Sequence, residues 1–289
     1  MTPTFSPPSP DHAVDATPVD AYLELLARVL TRYEIDDDHL AIDLFRRSSA
    51  VQRVWRSVDR ALGRRGLQLV KLARHDYRQR AVGADVPVAA ETGIGLVRLA
   101  SLRSCIETTL AEGVEGDILE TGAWRGGASI YARAVLAAHG AKDRTVFVAD
   151  SFEGPPAPDA DQYPADAENY LHMIPMMAVS IDRVKANFAR YGLLDDHVAF
   201  LKGWFKDTLP DAPIEKLSVL RLDGDLYEST MQVLDIMYDR VSPGGYVIID
   251  DYFSFPECKK ATDDFRARVG ITETLETIDG DSVLWRKGR

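Results

Sequence analysis

The 289-residue sequence has only two cysteines and lacks a long apolar run. Cys105 and Cys258 lie far apart, so they predict neither a disulfide framework nor a cysteine-based zinc site. No apolar stretch reaches the length that a transmembrane helix needs. Segment 1–18 is rich in Pro, Ser, Thr and Asp and lacks the apolar centre of a signal peptide. We therefore expect a cytoplasmic protein with no membrane partner.

Excess positive charge is also missing. The chain carries 34 Lys and Arg against 45 Asp and Glu, which gives a net charge of −11. The basic residues are dense only in one mid-chain patch, between 46 and 65. Proteins that bind duplex nucleic acid usually carry a basic surface, so this composition argues against a nucleic-acid partner. The arginines of the patch are interpreted as a solvated helix face, with an anion-binding or oligomer-contact surface as the alternative.

The first part of the chain is predicted to be helical. Residues 1–18 have too few apolar side chains to form a core and are expected to be disordered. Residues 19–115 form a helical extension, which contains an amphipathic helix at 19–33 and a basic helical region at 40–72. An apolar helix face needs a partner surface, either the rest of the chain or a second copy. We therefore expect a homodimer or a higher homo-oligomer.

From residue 116 to 289 the pattern changes to alternating strands and helices, which predicts one α/β domain. The predicted strands lie at 117–120, 145–149, 197–202, 217–222, 246–249, 273–278 and 281–286. Asp279-Gly280 between the last two favours a hairpin, so the sheet should end in an antiparallel pair. A polar segment at 154–177 interrupts the pattern. Loops of that length are usually functional, and we predict a lid, with a disordered surface loop as the alternative.

Acidic residues follow two of the predicted strands. Asp223-Gly224-Asp225 comes directly after the strand at 217–222, and Asp250-Asp251 follows the strand at 246–249. A right-handed strand–helix–strand crossover places both groups at the same edge of the sheet. Neighbouring carboxylates repel unless a cation lies between them, and oxygen ligands suit Mg²⁺. The alternative is that Asp225 or Glu228 caps the following helix.

A glycine-rich turn follows the first strand of this domain. The strand ends at Glu120, and glycines at 122, 126 and 127 lead into a helix, which allows a ligand to approach the helix start. The turn is not the G-x-G-x-x-G of dinucleotide sites, which argues against an NAD-dependent oxidoreductase. An acid before the glycines suits an amino or sulfonium group, and Asp150, at the next strand end, suits ribose hydroxyls. We therefore expect S-adenosylmethionine, although both acids have structural alternatives as partners of backbone amides.

Five separated segments resemble one enzyme family. They are DILETGAWRGGAS (117–129), DSFEGP (150–155), GWFKDTLP (203–210), LDGDLY (222–227) and GGYVIIDDY (244–252). Together they are similar to the macrocin O-methyltransferase family over roughly residues 20–289. The resemblance implies an α/β class I S-adenosylmethionine-dependent methyltransferase fold. That fold is a Rossmann-like seven-stranded sheet with a terminal antiparallel pair, here with an N-terminal helical extension and a lid loop.

The resemblance also implies roles for individual residues. It implies that Mg²⁺ is held by Asp223, Asp250 and Asp251, and that Asp225 stands where family members have a candidate general base. We therefore predict Asp225 and Asp223 as catalytic residues, with His172 of the lid as a second candidate base. The implied contacts to S-adenosylmethionine are Thr92, Glu120, Thr121, Gly122, Ala123, Trp124, Asp150 and Ser151.

Family membership implies transfer of a methyl group to a sugar hydroxyl of a glycosylated natural product, such as a macrolide-like antibiotic. The expected partner is thus a small-molecule glycoside. One alternative is a catechol-type O-methyltransferase, because adjacent hydroxyls on a sugar or an aromatic ring chelate a metal in the same way. Another is a non-catalytic S-adenosylmethionine-binding protein. A panel of acceptors distinguishes these alternatives.

Overall fold

The computed structural model describes residues 17–35, 39–41, 50–67, 70–72, 76–85 and 89–288. Most of the segment expected to be disordered, 1–18, lies outside the described residues. The helices are α1 Pro18–Thr31, α2 Ala50–Gly63, α3 Tyr77–Ala81, α4 Gly95–Ala111, α5 Gly127–Ala138, α6 Ile181–Arg190, α7 Phe205–Thr208, α8 Tyr227–Met237 and α9 Pro256–Val269. The strands are β1 His39–Ala41, β2 Val70–Leu72, β3 Asp117–Thr121, β4 Val146–Asp150, β5 Val198–Lys202, β6 Leu217–Leu222, β7 Val241–Ile249, β8 Glu276–Thr277 and β9 Val283–Arg286.

Helix α1 shows how the local sequence defines an element. Thr17 and Asp20 form a capping box, in which each side chain accepts a hydrogen bond from the backbone N–H of the other, and Pro18 occupies the first helical position. The helix buries one apolar face, formed by Leu23, Leu26, Ala27 and Leu30. This face packs on α5 and α4. The predicted amphipathic helix is thus present, with one apolar face buried within the chain.

One local prediction was wrong. The predicted helical region at 40–72 contains helix α2, but β1 and β2 flank it and pair antiparallel with each other. The segment at 76–88 contains α3, whose N-terminal amides are capped by the Asp76 carboxylate. The sequence Pro243-Gly244-Gly245, which follows α8, lies inside β7. There, a register irregularity against β6 accommodates Pro243, which has no N–H to donate to the sheet.

Seven of the described strands form one sheet, in the order β5-β4-β3-β6-β7-β9-β8. The strands from β5 to β7 in this order run parallel. Strand β9 is antiparallel to both β7 and β8. This topology confirms the predicted seven-stranded sheet with its terminal antiparallel pair. It also brings the carboxyl ends of β3, β4, β6 and β7 to the same edge.

Helices cover both faces of the sheet. One core contains the inward faces of α1, α4, α5 and α6 together with sheet residues such as Ile118, Val148 and Val219. The other core contains apolar residues of α8 and α9 together with Leu119, Leu220 and neighbouring sheet residues. Helices α1 and α4 of the predicted extension therefore share a core with the sheet. The domain boundary at residue 116 stays a prediction.

Among the helices of the described residues, none combines the length and the apolar character that crossing a membrane requires.

Candidate active site

A cavity of about 460 Å³ opens at the carboxyl edge of the parallel strands. Six residues predicted for the site line it: Gly122, Trp124, Asp150, Ser151, Asp223 and Asp225. The other predicted residues are buried and lie outside its lining; they are Thr92, Glu120, Thr121, Ala123, Asp250 and Asp251. The structure thus gathers the predicted cofactor turn and the first acidic turn around one space.

The glycine turn and the first acidic turn touch each other at Gly122. Its φ is +84°, and a Cβ atom at this position would lie 1.8 Å from the carbonyl oxygen of Asp223. The Asp223 N–H donates to the carbonyl oxygen of Thr121 at 2.9 Å. Only glycine permits both this backbone conformation and this approach. The two turns therefore form one rigid wall of the cavity.

Thr92 reaches the glycine turn from outside the sheet. The N–H of Gly127, at the start of α5, donates to the carbonyl oxygen of Glu91 at 3.0 Å. A Cβ atom on Gly127 would lie 2.6 Å from the Thr92 side chain. The segment before α4 is therefore packed against the start of α5. This contact is consistent with the prediction that places Thr92 beside the cofactor, and the prediction itself stays untested.

Glu120 is almost completely buried behind the glycine turn. One of its carboxylate oxygens accepts a hydrogen bond from the Arg221 guanidinium and the other from the Ser129 hydroxyl. Burial raises the pKa of Glu120 to about 7, and Arg221 opposes this shift. Glu120 therefore connects the cofactor turn to the strand that carries the acidic residues.

Asp150 organises the backbone at the end of β4. Its Oδ2 accepts the N–H groups of Ala123 at 2.7 Å and Trp124 at 3.2 Å, and its Oδ1 accepts the N–H of Phe152 at 2.7 Å. Burial raises the pKa of Asp150, and these three backbone hydrogen bonds oppose the shift. Asp150 therefore caps this turn, which is the structural role that the sequence analysis gave as an alternative. The carboxylate also lines the cavity, together with Ser151, as a ribose partner would.

Trp124 joins the glycine turn to the predicted lid. Its backbone is left-handed, with φ of +47°. The indole N–H donates to the carbonyl oxygen of Met176 at 2.9 Å. The Arg125 guanidinium lies 4.0 Å from the centre of the indole ring, at a distance suited to a cation–π contact. Trp124 also lines the cavity, so it connects the site to the predicted lid.

Three carboxylates converge beside the cavity. One oxygen from each of Asp223, Asp225 and Asp251 lies within 4.8 Å of the others. Burial and then repulsion from Asp250 raise the pKa of Asp223 to about 6. Burial, followed by repulsion between the carboxylates of the cluster, raises the pKa values of Asp225 and Asp251 well above the ordinary range. A hard divalent cation would remove this repulsion, so the donor set fits Mg²⁺.

Asp250 is placed differently from the other predicted metal ligands. Its Oδ2 accepts a hydrogen bond from Arg98 Nη1 at 2.7 Å, and its Oδ1 lies 2.6 Å from Arg221 Nη2. The second contact is an ion pair between two buried, oppositely charged side chains. Burial opposes ionisation, but the two arginines outweigh it and hold the pKa of Asp250 below its ordinary value. The structure therefore brings Asp225, predicted as the base, into the carboxylate group, and surrounds Asp250 with arginines.

The two arginines were not recognised in the sequence. Arg221 is 2% exposed, and besides Glu120 and Asp250 it lies 2.9 Å from Asp223. Arg98 projects from α4 to Asp250 and to the carboxylates of Asp279 and Asp281 near β9. An arginine inside the apolar run LSVLRL was a usable signal for Arg221, because buried arginines need acidic partners. No comparable signal marked Arg98.

The segment from Gly154 to Met177, predicted as a lid, contains three short 3₁₀ turns, Pro164–Asp166, Leu171–Met173 and Pro175–Met177. It is attached to the rest of the protein by Trp124, by Asp166 and by Asn169, whose side-chain amide donates to Glu257 at 2.8 Å. Movement of the whole segment as a hinged lid would break all three contacts. His172, the second candidate base, is exposed and lies outside the lining of the cavity.

The remaining lining has apolar and polar sections. Trp204 follows β5 and Phe205 begins α7, and Pro155, Pro156 and Met177 come from the loop segment. Hydrogen-bonding side chains complete the wall, namely Asp159, Gln162, Lys206, Glu228, Ser229 and Gln232. Such a wall suits a ligand that has both a flat or apolar part and several hydroxyl groups.

The sequence matches a family model and several known proteins, and these matches agree with one another. Residues 19–287 match the family model described as Macrocin-O-methyltransferase (TylF). The 8-demethyl-8-(2,3-dimethoxy-alpha-L-rhamnosyl)-tetracenomycin-C 4'-O-methyltransferase of Streptomyces olivaceus is 55% identical over 212 residues, which cover 73% of this chain and 81% of that protein. Mycinamicin III 3''-O-methyltransferase of Micromonospora griseorubida is 43% identical over 275 residues, which cover 94% of this chain and 98% of that protein.

A comparison with solved structures agrees with these sequence matches. The structure of the O-methyltransferase NovP matches with a TM-score of 0.80 at 42% sequence identity. The match covers 94% of this chain and 100% of NovP. The similarity therefore includes most of the helical extension as well as the sheet.

Proposed function

Because the chain belongs to the macrocin O-methyltransferase family, and is thus an S-adenosylmethionine-dependent O-methyltransferase, we propose that it methylates a sugar hydroxyl of a glycosylated natural product with the help of Mg²⁺. The observation that carries the magnesium proposal is the convergence of Asp223, Asp225 and Asp251 beside the cavity. Three carboxylates with raised pKa values are an unfavourable arrangement unless a cation is bound there. The same wall is in backbone contact with the glycine turn at Gly122.

The residues proposed for the cofactor surround the glycine turn. S-adenosylmethionine, when bound, supplies the electrophilic methyl group. Gly122 permits close approach of a ligand to the backbone, while Trp124 and Ser151 provide side walls. Asp150 presents carboxylate oxygens to the cavity, where they suit the hydroxyls of a ribose. Glu120 lies behind the turn, next to Thr121, Ala123 and the packed Thr92 segment, where its ion pair with Arg221 holds the turn against β6.

The acidic residues are proposed to bind the metal and to accept the proton. A divalent cation, when bound, supplies positive charge that lowers the pKa of a nearby hydroxyl. Asp223 and Asp251 belong both to the ligand set implied by the family and to the observed carboxylate group. Asp225, which lines the cavity, is proposed to accept the proton of the acceptor hydroxyl on its carboxylate oxygen. Asp250 is proposed as the third ligand, as the family implies, while Arg98 and Arg221 hold its carboxylate in a fixed orientation.

The mixed lining supports a glycoside as the acceptor. The names of the two relatives describe O-methyltransferases of a rhamnosyl tetracenomycin and of mycinamicin III. Glu228, Gln232 and Gln162 offer hydrogen-bonding groups to hydroxyls, and Trp204 offers an apolar surface. A bare catechol has fewer groups that could pair with this polar wall.

The test is product analysis with a panel of acceptors. Purified protein is incubated with S-adenosylmethionine, Mg²⁺ and either the rhamnosyl tetracenomycin named above, mycinamicin III or catechol. We expect a mass increase of one methyl group on a glycoside, together with S-adenosylhomocysteine, and little product from catechol. Methylation of catechol alone would favour the catechol-type enzyme. Binding of S-adenosylhomocysteine without turnover of any acceptor would favour a non-catalytic role.

We also propose a homodimer. Helix α1 has a second apolar stripe at i, i+3 and i+7, where Tyr22, Leu25 and Val29 are 42%, 63% and 41% exposed. Apolar surface of this kind is favourably buried against a second copy. Light scattering at micromolar concentration should give twice the mass of 32.0 kDa. A monomer mass would contradict the proposal.

A further inference from the structure

Helix α8 begins without a capping residue of its own. It starts at Tyr227, and the residue at its N-cap position is Leu226, whose side chain makes no cap hydrogen bond. The first amides of a helix have no partner within the helix, and a polar side chain at the N-cap usually accepts them. Only Leu226 separates this helix from Asp225, the proposed base. Its first turn therefore determines where that residue lies.

The missing cap comes from a distant part of the chain. Asp166 lies in the segment after Gly154, 61 residues before the helix start. Its Oδ1 accepts the N–H of Tyr227 at 2.7 Å, and its Oδ2 accepts the N–H of Glu228 at 3.0 Å. The side chain is completely buried. Both carboxylate oxygens are thus used to hold the start of α8 in place.

The backbone at Asp225 needs such support. Its φ is +59°, in the left-handed region that residues other than glycine rarely adopt. A conformation of this kind persists only when the surrounding structure imposes it. On one side, β6 holds Asp223, and the Leu226 N–H donates to the carbonyl oxygen of Gly224 at 2.6 Å. The Asp225 N–H itself donates to Asp251 Oδ2 at 3.3 Å. On the other side, the support is the first turn of α8, which Asp166 caps.

The same segment also contacts the second acidic turn. Asn169 donates to Glu257 in the first turn of α9, which begins five residues after Asp251. Trp124 holds the end of the segment at Met176. The segment thus connects the two helices that follow the acidic turns and also lines the cavity with Asp159 and Gln162. Through these contacts, the segment after Gly154 supports both acidic turns and therefore the carboxylate group.

We propose that Asp166 is a positioning residue: by capping α8 from the neighbouring segment, it holds the Asp225 carboxylate where it accepts the proton of the acceptor. This proposal rests on the proposed function, in which Asp225 is the base. Asp166 itself lies outside the cavity lining and acts only through the backbone of α8.

The variants Asp166→Ala and Asp166→Asn test the proposal, with Glu168→Ala as the control, because Glu168 is an exposed carboxylate on the same segment. We expect Asp166→Ala to lower kcat by about 10- to 100-fold, the range seen when supporting partners of a site are removed. The affinity for S-adenosylhomocysteine, measured by calorimetry, should stay within about twofold, because the glycine turn is unchanged. Asp166→Asn keeps one accepting oxygen and should show an intermediate loss. Glu168→Ala should behave as wild type.

A double-mutant cycle with Asp225→Asn separates positioning from a general loss of structure. If Asp166 acts through Asp225, adding Asp166→Ala to Asp225→Asn should change kcat by less than about twofold. Additive losses in the cycle would overturn the proposal, as would wild-type kcat in Asp166→Ala or parallel losses of kcat and cofactor affinity. Wild-type kcat in Asp225→Asn would instead overturn the proposed function. If Asp166→Ala does not fold, the near-isosteric Asp166→Asn is used in the same cycle, with the same criteria.

Discussion

Removal of divalent cations with EDTA is expected to lower methyl transfer by about 10³-fold, with recovery on addition of excess Mg²⁺. Charge stabilisation by a bound metal is worth several kcal/mol, and about 1.4 kcal/mol corresponds to a tenfold change in rate. The measurement is S-adenosylhomocysteine formation in chelator, followed by a Mg²⁺ titration. Full activity after chelation would exclude a role for a divalent cation. It would leave the convergence of Asp223, Asp225 and Asp251 without a chemical explanation.

The variants Asp251→Asn and Asp250→Asn identify the ligands. Asp251→Asn should weaken Mg²⁺ binding, measured by calorimetry, because it removes a charged oxygen from the carboxylate group. If Asp250 is a ligand as proposed, Asp250→Asn should weaken Mg²⁺ binding as well. Asp250 could instead serve only to neutralise the positive charges of Arg98 and Arg221. In that case Asp250→Asn should lower the melting temperature and leave Mg²⁺ affinity unchanged.

Chelation should also affect stability, in a pH-dependent way. The pKa values of Asp225 and Asp251 are raised in the folded protein, whereas unfolded aspartates ionise near pH ~4. Above that pH the unfolded state has lost protons that the folded state retains. Without a cation, stability therefore falls as pH rises from about 4 through the raised pKa values. Saturating Mg²⁺ at pH 8 should raise the melting temperature by about 5 °C, and by less at pH 5, where protons compete.

The substitution Asp225→Asn is expected to lower kcat by about 10²- to 10⁴-fold, the usual contribution of a general base. Asparagine has nearly the same size but cannot accept the proton. The affinity for S-adenosylhomocysteine should be unchanged, because Asp225 lies on the acidic turn and not on the glycine turn. The measurements are steady-state kinetics with the active glycoside of the panel and calorimetric titration with S-adenosylhomocysteine.

Asp211→Asn is the matched control, because Asp211 is exposed and lies before β6, at the opposite edge of the sheet from the cavity. It should keep wild-type kcat. Turnover by Asp225→Asn within several-fold of wild type, with cofactor and Mg²⁺ still bound, would show that another group accepts the proton. Loss of Mg²⁺ affinity along with kcat would indicate that Asp225 contributes mainly as a metal ligand, consistent with its place in the observed group.

Several sequence predictions succeeded because they relied on rules that hold across α/β proteins. The right-handed crossover places the acids after β6 and β7 at the same edge, and the structure has them there. The hairpin signal at Asp279-Gly280 correctly indicated the terminal antiparallel pair. Predictions from local secondary-structure propensity were less reliable where strand pairing in the folded protein competed with that propensity. Strands β1 and β2 lie in a region with a helical pattern, and β7 accommodates a proline through a register irregularity.

The sequence alone predicted the seven-stranded sheet with its antiparallel pair, the family and the neighbourhood of the acidic and glycine turns, because strand patterns and turn residues are encoded locally and the hand of the crossover is general. It could not determine the exact partners of each acid. Arg98 meets Asp250 across 152 positions and Asp166 meets Tyr227 across 61, and nothing in the intervening residues encodes these distances. Buried charges find partners wherever the packed helices bring them within reach. The tertiary structure alone therefore decided which carboxylates face the cavity and which hold the scaffold in place.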